Sequence, residues 1–392
     1  MTGLKPYRLS KYRLIRPLIL LLMVLIFVTA CSGSKQEVMK TVFFPPLPDE
    51  PRLQFLTAFG DSSILEDTSM FKSLVSGMDR PDIQTRLLKP YGIALYNGVI
   101  YVCDTVPNTV YRIDIKAGKF ESIRGNAGSG GLKKPVSLTV DEGGRLYVAD
   151  TIRKEVLLYT ADGDFIQAFG RGILKKPSSV AVDKENLYVL DYDDGLLKVL
   201  DRKTGAFIRE FGKDAEPGNR LVMPAGLAID SQGFLYVTNV ANGKVIKLDR
   251  DGNVLLSFGK LGDFLGEFTR PKGIAVDKEG RIYVVDGGNQ NVQIFNAERV
   301  LLIPFGSPGL PRGSLNLPAG ITLTTDVPDY FRQFIDPSFE VELFIFVTNQ
   351  SGANKITVYG LGRYKGTLPA APVKPAATPD KGGSADGAAA PR

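Results

Sequence analysis

Leu221-Val-Met-Pro224-Ala-Gly226-Leu-Ala-Ile-Asp230-Ser-Gln-Gly233-Phe-Leu-Tyr236-Val-Thr-Asn239 is the stretch that decides the fold, because its plan returns six times along the chain. In each copy a proline, usually followed two places on by glycine, leads into a short apolar run. A turn comes next, most often of the Asp-x-x-Gly kind, and then an aromatic-Val run that ends on Asp or Asn. The prolines are Pro90, Pro135, Pro177, Pro224, Pro271 and Pro318, spaced by 45, 42, 47, 47 and 47 residues. Self-similarity on that scale marks a repeat architecture, in which one supersecondary unit is stacked on the next.

The copy that begins at Pro135 reads in full as strands over 136–140, 145–149, 155–159 and 165–169, joined by Gly- and Asp-containing turns. Four short strands of this kind make one antiparallel blade, and six blades set radially leave only short, protected edges. The expected class is therefore all-β, a six-bladed β-propeller of four-stranded antiparallel blades. The fourth strand has its own mark, seen in Phe165…Phe169-Gly170, Phe207…Phe211-Gly212, Val254…Phe258-Gly259 and Val300…Phe305-Gly306, with a degraded form at Phe120. The sixth copy lacks it, whereas Leu53-Gln-Phe-Leu-Thr-Ala-Phe59-Gly60 carries it with no blade of its own. Residues 52–60 are thus expected to join the last blade and close the ring, which removes an exposed edge.

The pattern is clearest at Pro271-Lys-Gly-Ile-Ala-Val-Asp277-Lys-Glu-Gly280-Arg-Ile-Tyr-Val-Val-Asp286-Gly-Gly-Asn289-Gln-Asn-Val-Gln-Ile-Phe295, and it resembles the NHL repeat. The resemblance spans roughly residues 52–360. Departures are Ser137 and Ser179 in the glycine slot, and Tyr192-Asp-Asp-Gly195 where the inter-strand turn of blade three lacks its Asn. The chain has no Trp and no His, so the Gly-His and Trp-Asp pairs of WD40 blades and the Trp of kelch blades have no counterpart.

Outside the repeats the chain reads as an address and two extensions. Lys5, Arg8, Lys11, Arg13 and Arg16 precede an uncharged apolar run over 18–28 and then Val28-Thr29-Ala30-Cys31, the layout of a secretory signal. The last four residues resemble the bacterial lipobox, which implies cleavage before Cys31, its acylation and stable membrane anchoring; Ser32 behind it implies the outer membrane. Expected segments are a lipoprotein signal at 1–30, a lipidated Cys31 with a Pro-rich tether through 51, the propeller over 52–362, and a disordered Pro/Ala/Gly/Lys tail over 363–392. The formal charge of +6 is carried by the signal and the tail, so the body is near neutral and shows no nucleic-acid footprint. Of the two cysteines, Cys103 fills a slot occupied by Ala149, Leu190, Thr238, Val285 and Thr348 in the other copies, which makes it a packing residue.

Two inserts break the period. Residues 61–89 are mixed in character, with a short helix expected around 70–78. Residues 327–340 lengthen the first turn of blade six and carry aromatics suited either to a satellite cluster or to a contact surface.

Function is narrowed mainly by residue type. Without His, neither Ser-His-Asp nor Cys-His catalysis can be assembled, nor the histidine zinc site of the amidating lyases related to NHL proteins. Asp104, Asp150, Asp191, Asn239, Asp286 and Asn349 recur once per blade and are read as caps of the turn at the strand end, not as a metal ring. No catalytic residue, metal or cofactor is assigned. The positions where copies differ form the candidate binding face: Tyr91, Lys272, Arg153, Lys154, Tyr192, Asp193 and Asn242, a mixture of aromatic and charged side chains on a rigid scaffold. The expected function is a membrane-anchored binding or scaffolding module of the cell envelope, with a protein or glycan partner and no nucleic acid. The alternative is a calcium-dependent lactonase- or hydrolase-like propeller enzyme.

Overall fold

The computed structural model describes residues 41–65, 86–213, 216–310 and 312–369. The signal, Cys31, the expected helix at 70–78 and the tail beyond 369 lie outside the described residues. A compact unit begins at Val42 and holds five four-stranded sheets and one five-stranded sheet, all antiparallel. Each sheet is a blade. The innermost strands are Pro90–Tyr96, Pro135–Val140, Pro177–Val182, Pro224–Ile229, Pro271–Val276 and Pro318–Thr324. Blade two consists of Pro135–Val140, Leu146–Asp150, Glu155–Tyr159 and Phe165–Phe169, within a residue of the expected limits.

Burial explains the strand sequences. Second strands such as Leu146–Asp150 and Ile282–Asp286 are buried along their whole length, since each blade packs another on both faces; they read as continuous apolar runs and not as alternation. Outermost strands such as Phe207–Phe211 are mostly exposed. The core is divided into six clusters, one between each pair of neighbouring blades. The tyrosine of the second strand is buried with its hydroxyl bonded to the Asp of the preceding turn, as in Tyr188 to Asp183 (2.9 Å), Tyr236 to Asp230 (3.1 Å) and Tyr283 to Asp277 (2.7 Å). Blade six has Thr324 in place of that Asp and Phe346 in place of the Tyr. A buried hydroxyl needs a partner: blade six lacks both groups, and blade one, with Tyr96 in the place of the Asp, keeps Tyr101 by turning its hydroxyl to the Ala161 carbonyl (2.8 Å).

The ring closes through the N-terminal strand. Leu53–Phe59 pairs antiparallel with Ile356–Tyr364 in register from Leu53↔Leu361 to Phe59↔Ile356, as the missing sixth mark requires. Two boundaries differ from the sequence reading. The Pro-rich segment is not a free tether to residue 51: Phe43–Phe44 adds a fifth strand against Leu53 and Gln54. Aromatic contact fixes it there, with Phe44 lying 6.3 Å from Phe305 and 6.1 Å from Tyr359 between ring centroids. The last strand also runs through Gly360 and Gly362 to Tyr364 and does not end at 362. Gly362 is required by space, because an added Cβ would collide with the Glu340 carbonyl oxygen of the neighbouring strand.

The 327–340 insert is a satellite cluster. Its 3-10 turn Asp329–Phe334 buries Phe331 completely, 5.1 Å from the Phe346 ring and 6.3 Å from that of Phe59. Gln54 of the closing strand is its latch, donating to the Phe334 carbonyl (2.8 Å) and accepting from the Asp336 amide (3.1 Å). Deleting residues 52–60 therefore removes a blade strand, the floor of this cluster and the ring closure together. The expected outcome is loss of a cooperative thermal transition, followed by circular dichroism; a shift of only a few degrees would refute the closure.

Candidate binding face and channel mouth

Loops between the second and third strands and loops between blades emerge at one end of the propeller. They are tied once per blade, by Thr105 to Lys89 (3.2 Å), Thr151 to Lys134 (3.1 Å), Tyr192 to Lys176 (2.9 Å), Val240 to Met223 (3.4 Å), Gly287 to Arg270 (3.0 Å) and Gln350 to Leu317 (3.2 Å), each N–H donating to a carbonyl. Asp104, Asp150, Asp191, Asn239, Asp286 and Asn349 lie beneath these ties and are fully buried. Their side-chain oxygens accept N–H bonds from residues just before the inner strand of their own blade. Asp286, for example, takes those of Thr269 (2.7 Å), Arg270 (2.8 Å), Gly288 (2.8 Å) and Asn289 (3.2 Å). The six acceptors thus face backbone and not the channel.

The central channel has a volume of about 280 Å³ and is lined by the six innermost strands. Apart from Lys272, its polar side chains are hydroxyls: Ser137 and Ser179 face each other at 3.3 Å, with Thr139 and Thr322 also lining the wall. No carboxylate lines it, and among the described residues no group of three His, Cys, Asp or Glu could hold a metal ion. Calcium takes roughly six to eight oxygen ligands, usually including carboxylates; this wall does not fit it.

The sequence-selected face divides into a mouth and a rim. Tyr91 and Lys272 line the channel, with the Lys272 ammonium 5.5 Å from the centre of the Tyr91 ring. Tyr192 stands close enough to Tyr91 to act on it electrostatically and carries the Lys176 ammonium 4.3 Å above its own ring; Asp193 pairs with Lys176 at 3.3 Å. Arg153 and Lys154 belong to a separate rim pocket. Arg153 is engaged internally, with Nε on Glu155 (2.9 Å) and Nη1 on the Ser129 and Gly131 carbonyls (2.9 and 2.7 Å). Asn242 sits in a short 3-10 turn of blade four, its Oδ1 buried with no hydrogen-bond partner among the described residues. Cys103 is buried and free; burial raises its thiol well above the ordinary range.

One feature of this face was missed in the sequence. Between Leu261 and Phe268, which form an isolated bridge, the chain makes a finger whose tip exposes Phe264 (75%) and Leu265 (64%), with Leu261 (61%) at its base. Gln293 of blade five anchors it, accepting from Gly266 (2.8 Å) and donating to Glu267 (2.9 Å). Val106, Ile152, Val222, Met223 and Leu317 are exposed on the same end of the propeller, whereas the first-to-second-strand turns at the opposite end carry no large exposed hydrophobic. The signal was an apolar pair between two glycines, Gly262-Asp-Phe-Leu-Gly266, in a loop that elsewhere is polar.

Lys272 weakens the fold. Burial first, and then the charges of Arg270 and Lys89, lower its pKa from 10.5 to about 8. The unfolded chain holds the extra proton between those two values, so this residue's contribution to stability improves as pH rises through that window; below pH 8 the full penalty is present. Lys272→Met is expected to stabilise the protein at pH 7 by on the order of 1–3 kcal/mol, and the gain should shrink towards pH 10. Urea unfolding at the two pH values checks both statements.

Residues 268–295, most of blade five, match the NHL repeat family. The fold is similar to that of a gluconolactonase from Xanthomonas campestris, at 17% identity and a TM-score of 0.52 over 78% of this chain and 98% of that one. It is also similar to a streptogramin B lyase, at 15% identity and a TM-score of 0.49 over 71% and 84%, and to a virginiamycin B lyase from Staphylococcus aureus, at 12% identity and 0.47 over 70% and 95%. At these identities the likeness concerns the fold. The chain is a six-bladed β-propeller that carries an NHL repeat in its fifth blade.

Proposed function

We propose that this propeller is a docking module held at the bacterial envelope by an acylated Cys31, and that its loop-bearing face binds a protein partner. The observation that carries the reading is the exposed pair Phe264 and Leu265, presented on an anchored finger. A large aromatic and a leucine displayed on rigid backbone are what a protein interface buries at its centre, and their exposure in a single chain marks an interaction surface. Anchoring is supported by the basic-apolar leader and by Val28-Thr29-Ala30-Cys31. The hydroxyl-lined channel, without carboxylates, gives the hydrolase reading nothing to build on.

Two experiments test the parts separately. A photo-crosslinking amino acid at position 264 is expected to give a discrete adduct in intact envelopes, and one at position 279, an exposed turn at the other end, none. Equal adducts from both positions, or none from 264, would reject the docking face. Intact mass of the mature chain should show a diacyl or triacyl Cys31 as its first residue, and Cys31→Ser should leave the precursor unprocessed; an unmodified cysteine would remove the anchor from the proposal.

A further inference from the structure

Among the described residues the buried charges have partners, and half-buried Lys272 stands apart from them. Arg202 is buried against Asp141 and donates to the Tyr147 hydroxyl at 2.9 Å. Lys198 pairs with Asp191 (3.1 Å) and Asp194 (2.5 Å). Glu155 receives both Arg153 and Arg171 at 2.7 Å. Lys272 has no carboxylate or carbonyl on its ammonium among the described residues; what it has is the Tyr91 ring and two further cations. Those cations, Arg270 and Lys89, immediately precede the inner strands of blades five and one, and neither side chain forms an ion pair with a described residue. The carboxylate closest in effect, Asp286, is buried and already holds four backbone N–H groups.

The arrangement is not an accident of exposed lysines on a solvated surface. Lys272 is fixed at its backbone, because the Thr238 hydroxyl of blade four donates to its carbonyl at 2.6 Å. Tyr91 is fixed in the same way by Thr348 of blade six, at 2.5 Å. The Lys272 stem lies over Gly287, where an added Cβ would stand only 2.8 Å from Cε. Lys272 and the Tyr91 ring are thus fixed at the mouth of the channel, and the exposed Arg270 and Lys89, each one residue before an inner strand, act on Lys272 as further positive charges. Like charges gathered in a partly desolvated site are unfavourable unless an opposite charge joins them. The natural complement of such a cluster is an anion.

We propose that the channel mouth is a binding site for an oxyanion, a carboxylate or phosphate group held by Lys272, Arg270 and Lys89 against the Tyr91 ring. Guanidinium and ammonium groups supply charge-assisted hydrogen bonds to such oxygens, and the adjoining channel gives room for the body of a small ligand. The lowered basicity of Lys272 reflects burial and the two neighbouring cations, surroundings whose cost an anion would offset. The inference stands apart from docking by the finger: it concerns the isolated chain and does not require a protein partner.

The test is trace acetylation of the purified protein at pH 7.5 and constant ionic strength, with peptide mass mapping of Lys272 and of Lys116, an exposed lysine in a turn of blade one. A bound anion favours the protonated amine and covers it. Millimolar inorganic phosphate or citrate is therefore expected to slow acetylation of Lys272 by about fivefold or more, while Lys116 is unchanged. In an Arg270→Gln/Lys89→Gln variant the protection should disappear. Both residues serve the buried caps through backbone N–H groups only, so the fold is retained, and a wild-type thermal transition checks this. Protection by phosphate alone identifies a phosphoryl ligand, and protection by citrate alone a carboxylate. An unchanged rate at Lys272 with both anions, equal slowing at Lys116, or protection that persists in the variant would overturn the site. A Phe264→Ser change should leave the labelling untouched, which separates failure here from failure of the docking face.

Discussion

Everything in this propeller depends on how closely six innermost strands can approach around one axis. The constraint falls on the second residue after each blade's proline. At Gly226 an added Cβ would run into the carbonyl oxygen of Lys272, and at Gly320 into that of Tyr91. Neither glycine has a left-handed backbone; what is needed is space. The same contacts are sealed by threonine: Thr238 accepts the Gly226 N–H at 2.8 Å while donating to Lys272, and Thr348 does so between Gly320 and Tyr91. In blades two and three serines fill the slot, and their hydroxyls meet each other, with Ser179 also accepting the Leu227 amide at 3.1 Å. The two departures from the repeat pattern are therefore working joints of the ring.

Repetition and variation carry different information in such a chain. What recurs serves the blade: in every copy an Asp or Asn at the second-strand end holds an amide from the loop before its own inner strand, and in blades two to five a turn Asp meets a buried tyrosine hydroxyl. These were legible because the physical demand is the same in each repeat. Strand positions followed for the same reason, and the ring closure from a mark present where no blade was and absent where one was. The ends of the propeller were less legible. Phe43–Phe44 joins the sheet through rings that meet only in the fold, and the last strand crosses glycines that sequence reading takes as a stop.

The loops where copies differ lie at one end of the propeller, but the individual residues sort only in three dimensions. Tyr91, Lys272 and Tyr192 converge although they come from blades one, five and three, a proximity that no spacing encodes. Arg153 resembles a free cation in sequence and is engaged by Glu155 and two carbonyls. Phe264 and Leu265 carry no outward mark in sequence, since apolar residues are usually buried; only the bridge beneath them and the Gln293 anchor turn the pair outward. Arg270 and Lys89 were overlooked because the residue before each proline looks like a spacer, until the buried caps are seen to hold its backbone and leave its side chain at the mouth.

The latch between Gln54 and the Phe334 carbonyl joins residues 280 positions apart, and the strand that carries Gln54 is nearly the first part of the body to be made. A ribosome delivers it long before its partner exists. Through most of synthesis Leu53, Phe55 and Phe59 have no sheet to join, and blade six cannot form until almost the last folded residue has appeared. Contacts so distant in sequence slow folding and lengthen the life of sticky, incomplete states. The geometry that leaves the finished ring without an open seam therefore makes the nascent chain dependent on help, and places the moment of greatest need at the end of its production.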